Sequence, residues 1–161
     1  MSKALLIVDM QNGFITKKPY SDLVSKINSL IEKNNYEYYI FTKFINRKNS
    51  FYVKKLGWEN LLSEESQKIC VSIPHNNFIF EKNGYGLSQK QIEKIKEILS
   101  TENNIDICGL QTDACVYAIS LQLFDNDIYP NILINYTATL NNNKAVRAML
   151  IHQFGKVDER P

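Results

Sequence analysis

An acid, a cation and a thiol recur in this 161-residue chain in settings suited to chemistry: Asp9 in VDMQNGF, Lys82 in FEKNGYG and Cys115 in GLQTDACV. A thiol close to a carboxylate that can take its proton, with a cation to hold the charge, is equipment for nucleophilic attack on a carbonyl. Cys115 lies about two residues beyond an N-cap expected at Thr112 or Asp113, where free N–H groups and the positive end of the helix dipole favour a thiolate. Cys70, in the apolar stretch ICVSI, and Cys108, in IDIC, read instead as packing residues. The usual proton acceptor for a thiol is histidine, and the chain has only His75 and His152. His75 precedes its strand and so falls at the wrong edge, while His152 sits late in the last helix. Asp9 is the acceptor that remains, provided burial and a neighbouring cation such as Lys82 tune it.

The elements that must position these groups alternate along the chain. Ala4 to Val8 is an unalternating apolar run, the pattern of a strand buried on both faces of a parallel sheet. A helix follows, with Leu23, Ile27, Leu30 and Ile31 on one face and a cap at Ser21 or Asp22. Strands are expected at Tyr36 to Phe44, Asn77 to Glu81, Ile105 to Cys108 and Ile132 to Tyr136, with a short sixth at Gly155 to Val157. Helices are expected at Ser88 to Leu99, Asp113 to Phe124 and Asn143 to Phe154, with a short one around Trp58 to Leu62. This order predicts a three-layer, doubly wound α/β fold, a mostly parallel sheet of five to six strands with helices on both faces. Sites in such folds lie at the carboxyl ends of strands, where Asp9, Lys82 and Cys115 fall.

Composition bounds the partners. With 44% apolar and 22% charged residues the chain is of the soluble globular class, and its length suits one domain spanning residues 1–161. The net charge of +2 comes from 19 basic and 17 acidic side chains, the basic ones dispersed, which gives no footprint for nucleic acid. Apolar runs of about five residues fall far short of the ~20 a membrane helix needs. Asp9 and Gln11 interrupt the first run before a signal peptide can form. Three cysteines without C-x-x-C spacing point to reduced thiols and a cytoplasmic setting.

Taken in order, VDMQNGF, the lysine of FEKNGYG and GLQTDACV resemble the isochorismatase-like cysteine hydrolase family, which includes nicotinamidases, N-carbamoylsarcosine amidases and ureidoacrylate and biuret hydrolases. The resemblance runs through most of the chain. It implies Cys115 as nucleophile, Asp9 as general base and Lys82 as the partner that holds Asp9. It also implies a cis peptide between Leu110 and Gln111, with the backbone N–H groups of Gln111 and Cys115 forming an oxyanion hole. The implied activity is hydrolysis of a small amide, urea or carbamoyl C–N bond through a thioester on Cys115. A homo-oligomer, dimer or tetramer, is implied too. Phe14 matches the family's VDxQxxF pattern, and Phe14, Gln11, Trp58 and Tyr85 are the residues expected at the substrate pocket.

Two departures sharpen the reading. Nicotinamidases of the family usually carry an Asp and several His after the second strand to hold a metal. The matching stretch FTKFINRKNS has neither, so no metal and no cofactor are expected. Lys43, Asn46 and Arg47 stand there instead, as partners for a substrate carboxylate or as solvated loop residues. Relatives acting on isochorismate need no thiol at position 115, which favours the amide branch over an isochorismatase-type hydrolase, and the missing metal ligands rank a metal-free nicotinamidase-like hydrolase below those acting on other amides or ureas. The rival outside enzymology is a binding or interaction protein that keeps the fold without the activity. A haloacid-dehalogenase-type phosphatase would need an acid where Gln11 stands, and a dinucleotide binder would need G-x-G-x-x-G after the first strand.

Overall fold

Five parallel strands form one sheet in the order β3-β2-β1-β4-β5 in the computed structural model, which describes residues 2–161. The strands are β1 (Ala4–Val8), β2 (Tyr38–Phe44), β3 (Asn77–Lys82), β4 (Asn104–Leu110) and β5 (Tyr129–Ala138). β1 lies at the centre and every residue in it is buried, as an unbroken ALLIV run requires when helices cover both faces. Its alternate side chains divide the core. Leu5 and Ile7 pack with Tyr39 and Phe41 beneath α1 (Lys18–Glu32). Ala4, Leu6 and Val8 face the opposite layer, where α4 (Gln89–Leu99), α5 (Cys115–Phe124) and α6 (Asn143–Phe154) contribute Ile92, Ile95, Val116, Ile119 and Leu150. The short helices α2 (Phe51–Leu56) and α3 (Glu64–Gln67) belong to the long connection between β2 and β3.

Local signals set several boundaries. Ser88 caps α4 in a box with Gln91, each side chain answering the other's backbone N–H. Ser50 caps α2, and Gly57 ends it with a left-handed φ of 62°. Four expectations are corrected. α1 starts at Lys18 with Pro19 in its first turn, so Ser21 and Asp22 lie inside the helix rather than at its cap. No helix forms over Trp58 to Leu62, because α2 and α3 flank that stretch and Gly57 breaks the chain before it. The sixth strand reduces to a single parallel bridge between Leu133 and Asp158. α5 begins at Cys115 itself with Ala114 at the N-cap, because Thr112 spends its groups on β5, its N–H on Ala138 O and its hydroxyl on Thr137.

The order of strands reverses at β1, with β2 on one side and β4 on the other, and the crevice at such a switch point is where doubly wound sheets bind ligands. β1 and β4 approach closely there. Gly109 pairs with Val8 at a φ of 112°, and a Cβ on it would sit 2.2 Å from the Val8 carbonyl oxygen. Only glycine fits that contact.

Candidate active site

Asp9, Lys82 and Cys115 converge in this crevice. Asp9 follows β1 directly with a left-handed φ of 50°. Thr42, near the end of β2, fixes it from two sides: the Asp9 N–H donates to Thr42 Oγ1 at 3.0 Å, and the threonine hydroxyl donates to Asp9 Oδ1 at 2.6 Å. Lys82, the last residue of β3, reaches across β2 with the Phe44 ring 4.9 Å from its ammonium. Its Nζ lies 2.8 Å from Asp9 Oδ2, with side chains 2% and 0% exposed, and 3.3 Å from Cys115 Sγ. The ammonium donates to Gly84 O at 2.7 Å as well. Its approach to Asp9 Oδ2 is a buried ion pair, so one ammonium faces both the carboxylate and the sulfur.

Cys115 is the first residue of α5 and is 7% exposed. Burial pushes its thiol well above the ordinary range, the Asp9 charge pushes in the same direction, and Lys82 opposes both. Burial and the Asp9 carboxylate thus work against the thiolate that a helix N-terminus and Lys82 favour. The Leu110–Gln111 peptide is cis. The Gln111 carbonyl accepts from the Ala114 and Val116 N–H groups, while among the described residues the N–H groups of Gln111 and Cys115 find no acceptor.

A cavity of about 290 Å³ opens onto the sulfur, lined by Phe14, Phe44, Tyr52, Leu56, Trp58, Tyr85, Gln111, Ala114 and Cys115. Phe14 and Trp58 stack at 5.8 Å, and the Tyr52 ring meets Phe44, Trp58 and Tyr85 edge-on at 5.1, 5.8 and 5.2 Å. Phe14, Trp58 and Tyr85 thus stand on the cavity wall. Gln11 does not. It is fully buried, its amide donating to Phe44 O and Gln67 O and accepting from the Phe44 N–H, so it ties the turn after β1 to β2 and α3. Lys43, Asn46 and Arg47 are also off the wall. Asn46 holds the β2–β3 connection through Trp58 O and Asn60 O, and Lys43 lines a separate groove with Ile79. Both histidines are exposed. Thr42, Phe44, Tyr52 and Leu56 are site residues that the sequence reading did not single out. The strand-end rule that found Asp9 and Lys82 also covers Thr42 and Phe44, whereas nothing in FYVKKL marks Tyr52 and Leu56.

The family model for the isochorismatase domain matches residues 3–157. The chain belongs to the isochorismatase family. Solved structures with the same fold include the pyrazinamidase of Pyrococcus horikoshii in complex with zinc, with a TM-score of 0.83, 17% identity and full coverage of both chains. The N-carbamoylsarcosine amidase of Thermoplasma acidophilum gives 0.81 at 16% identity over 99% of this chain and 96% of that one. A cysteine hydrolase of Pseudomonas syringae gives 0.82 at 14% identity over 97% and 88%. At such identities the likeness is one of fold. No curated protein matches the chain in sequence. The zinc of the pyrazinamidase complex has no counterpart set of ligands in this family member: among the described residues no group of three or more His, Cys, Asp or Glu could hold a metal ion. The cavity wall carries one such residue, Cys115. The residues present do not fit that ion.

Proposed function

We propose that this isochorismatase-family protein is a cysteine-dependent amidohydrolase that cleaves the C–N bond of a small amide, urea or carbamoyl compound. The observation that carries the reading is the position of Lys82 Nζ, 2.8 Å from Asp9 Oδ2 and 3.3 Å from the sulfur of Cys115, which lines a small cavity.

Asp9 Oδ2 takes the thiol proton as Cys115 Sγ attacks the carbonyl carbon, and the negative charge passes from carboxylate to sulfur and on to the substrate oxygen. Lys82 touches both ends of that transfer, so the ammonium need not move and little solvent reorganisation accompanies the charge. The N–H groups of Gln111 and Cys115 are free to hold the tetrahedral oxyanion. Asp9 then returns the proton to the departing nitrogen, the C–N bond breaks, and ammonia or an amine leaves a thioester on Cys115. Water attacks the thioester, gives a proton to Asp9, and releases the acid and the thiol. Residues 1–161 act in this reading as one hydrolase domain on a small molecule.

The test is ammonia release from a panel of small amides, ureas and carbamoyl compounds, with Cys115→Ala as the control. Activity that survives in Cys115→Ala refutes the mechanism.

A further inference from the structure

We infer that the cavity over Cys115 selects an amide whose acyl group is neutral, apolar and about one ring in size, with no reward for a ring heteroatom or a charge. The inference rests on the hydrolase reading of the same site and concerns its substrate class.

The wall decides the chemistry. Six of its nine residues are Phe14, Phe44, Tyr52, Leu56, Trp58 and Tyr85, the remainder being the Gln111–Cys115 turn that faces the reacting carbonyl. No Lys, Arg, His, Asp or Glu side chain is among them. Lys82, the nearest cation, lies beneath the sulfur and is already engaged by Asp9 and Gly84. Lys43 and Arg47 open onto other grooves. A carboxylate or ammonium carried on the acyl group would enter an aromatic box without a counter-charge, and an unpaired charge is the costliest group to desolvate. A pyridine-type nitrogen fares better, but the wall offers it only the Tyr52 and Tyr85 hydroxyls, the Trp58 indole N–H and the Gln111 amide in exchange for water, and no charged partner. Flat apolar groups match the wall, since aromatic rings stacked or edge-on around a ring gain contact without needing polar partners. The volume, about 290 Å³, lies at the lower limit for ligand pockets and suits a single ring with its carboxamide.

Trp58 is the only tryptophan of the chain and stands in the wall, so its fluorescence reports occupancy independently of turnover. Titration of the Cys115→Ala protein with benzamide, nicotinamide and carbamoylbenzoate separates binding from catalysis. Benzamide is expected to bind most tightly, nicotinamide about 10-fold more weakly and carbamoylbenzoate about 100-fold more weakly. Leu56, 65% exposed on the rim, accepts a long side chain without repacking. Leu56→Arg should narrow the gap between carbamoylbenzoate and benzamide at least about fivefold. Binding of carbamoylbenzoate or nicotinamide as tight as benzamide, no binding of benzamide, or an unchanged ratio in Leu56→Arg overturns the inference. Benzamide that binds but is never hydrolysed by the wild-type protein refutes the hydrolase reading while leaving the selectivity intact.

Discussion

Replacing Asp9 with asparagine removes one of two opposing charges from the neighbourhood of Cys115 and leaves the other in place. Asparagine tolerates the left-handed φ of 50° and keeps an oxygen for the Thr42 hydroxyl, so the turn is preserved. In the native site the Lys82 charge is shared between Asp9 Oδ2 at 2.8 Å and Cys115 Sγ at 3.3 Å. At an effective dielectric constant of about 20, a unit charge pair at the sulfur's distance is worth about 5 kcal/mol. Even one third of that, freed from the carboxylate, raises the thiolate population more than about tenfold, because ~1.4 kcal/mol is a factor of ten. Asp9→Asn is therefore expected to alkylate faster at Cys115 than the wild type while hydrolysing about 10²–10⁴-fold more slowly, having lost its proton acceptor. Iodoacetamide labelling at neutral pH, followed by peptide mapping, reads the first effect. Cys70 serves as the internal reference, since burial, not Asp9, pushes its thiol up to about 11. Labelling of Cys115 in Asp9→Asn that equals or falls below the wild-type rate refutes the argument that Asp9 and Lys82 act on the sulfur in opposition.

Other expectations follow from single contacts. Lys82→Met strands the fully buried Asp9 carboxylate without a counter-ion and should lower stability in urea by about 3–5 kcal/mol; a loss under about 1 kcal/mol means the pair contributes little. Gly109→Ala places a methyl against the Val8 carbonyl at a φ of 112° and should cost about 3 kcal/mol or more, read as a fall in Tm; an unchanged Tm contradicts the close approach. Arg160 holds the Asp158 carboxyl below the ordinary carboxylate range, mainly by donating to it, while burial works the other way. A depressed carboxyl contributes stability above its unfolded value near ~3.9 and loses it as pH falls below that. Urea midpoints measured across this range should drop more steeply in the wild type than in Arg160→Gln, and parallel curves would show the pair to be inert.

The five strands and four of the helices were legible because their signals are one-dimensional. ALLIV has the short unalternating run of a strand buried on both faces, and Ser88 with Gln91 and the isoleucine stripe behind it define α4. The three chemical groups were legible for the same reason, each being tied to the end of a readable strand. The β2–β3 connection was not. Its two short helices carry no buried hydrophobic residue, so no apolar period announces them, and their place is set by Asn46, Gln11 and Gln67 binding distant backbone groups. Three of the nine wall residues, Tyr52, Leu56 and Trp58, come from that connection, which is why Tyr52 and Leu56 went unmarked. The state of the Cys115 thiol also escaped the sequence. A helix N-terminus argues for a thiolate, but burial and the neighbouring carboxylate push the other way, and burial is a property of the assembled sheet.

β5 slips its register against β4 between Ile107 and Gly109, so residues 133–136 form a bow outside the paired register of this edge strand. The closing segment settles on that bow: Asp158 bridges Leu133, Asn135 donates to Glu159 O and Arg160 O, and the Tyr136 hydroxyl donates to Pro161 O. Its backbone thus occupies hydrogen-bonding positions that an outer strand would otherwise offer to a neighbouring molecule. Residues 158–161 act as a guard on the sheet's flank, and the irregularity of β5 is what shapes their seat. Deleting them should turn a self-contained edge into an adhesive one, visible as light scattering that grows with protein concentration, and a deletion variant that stays clear would show that the bow alone protects the flank.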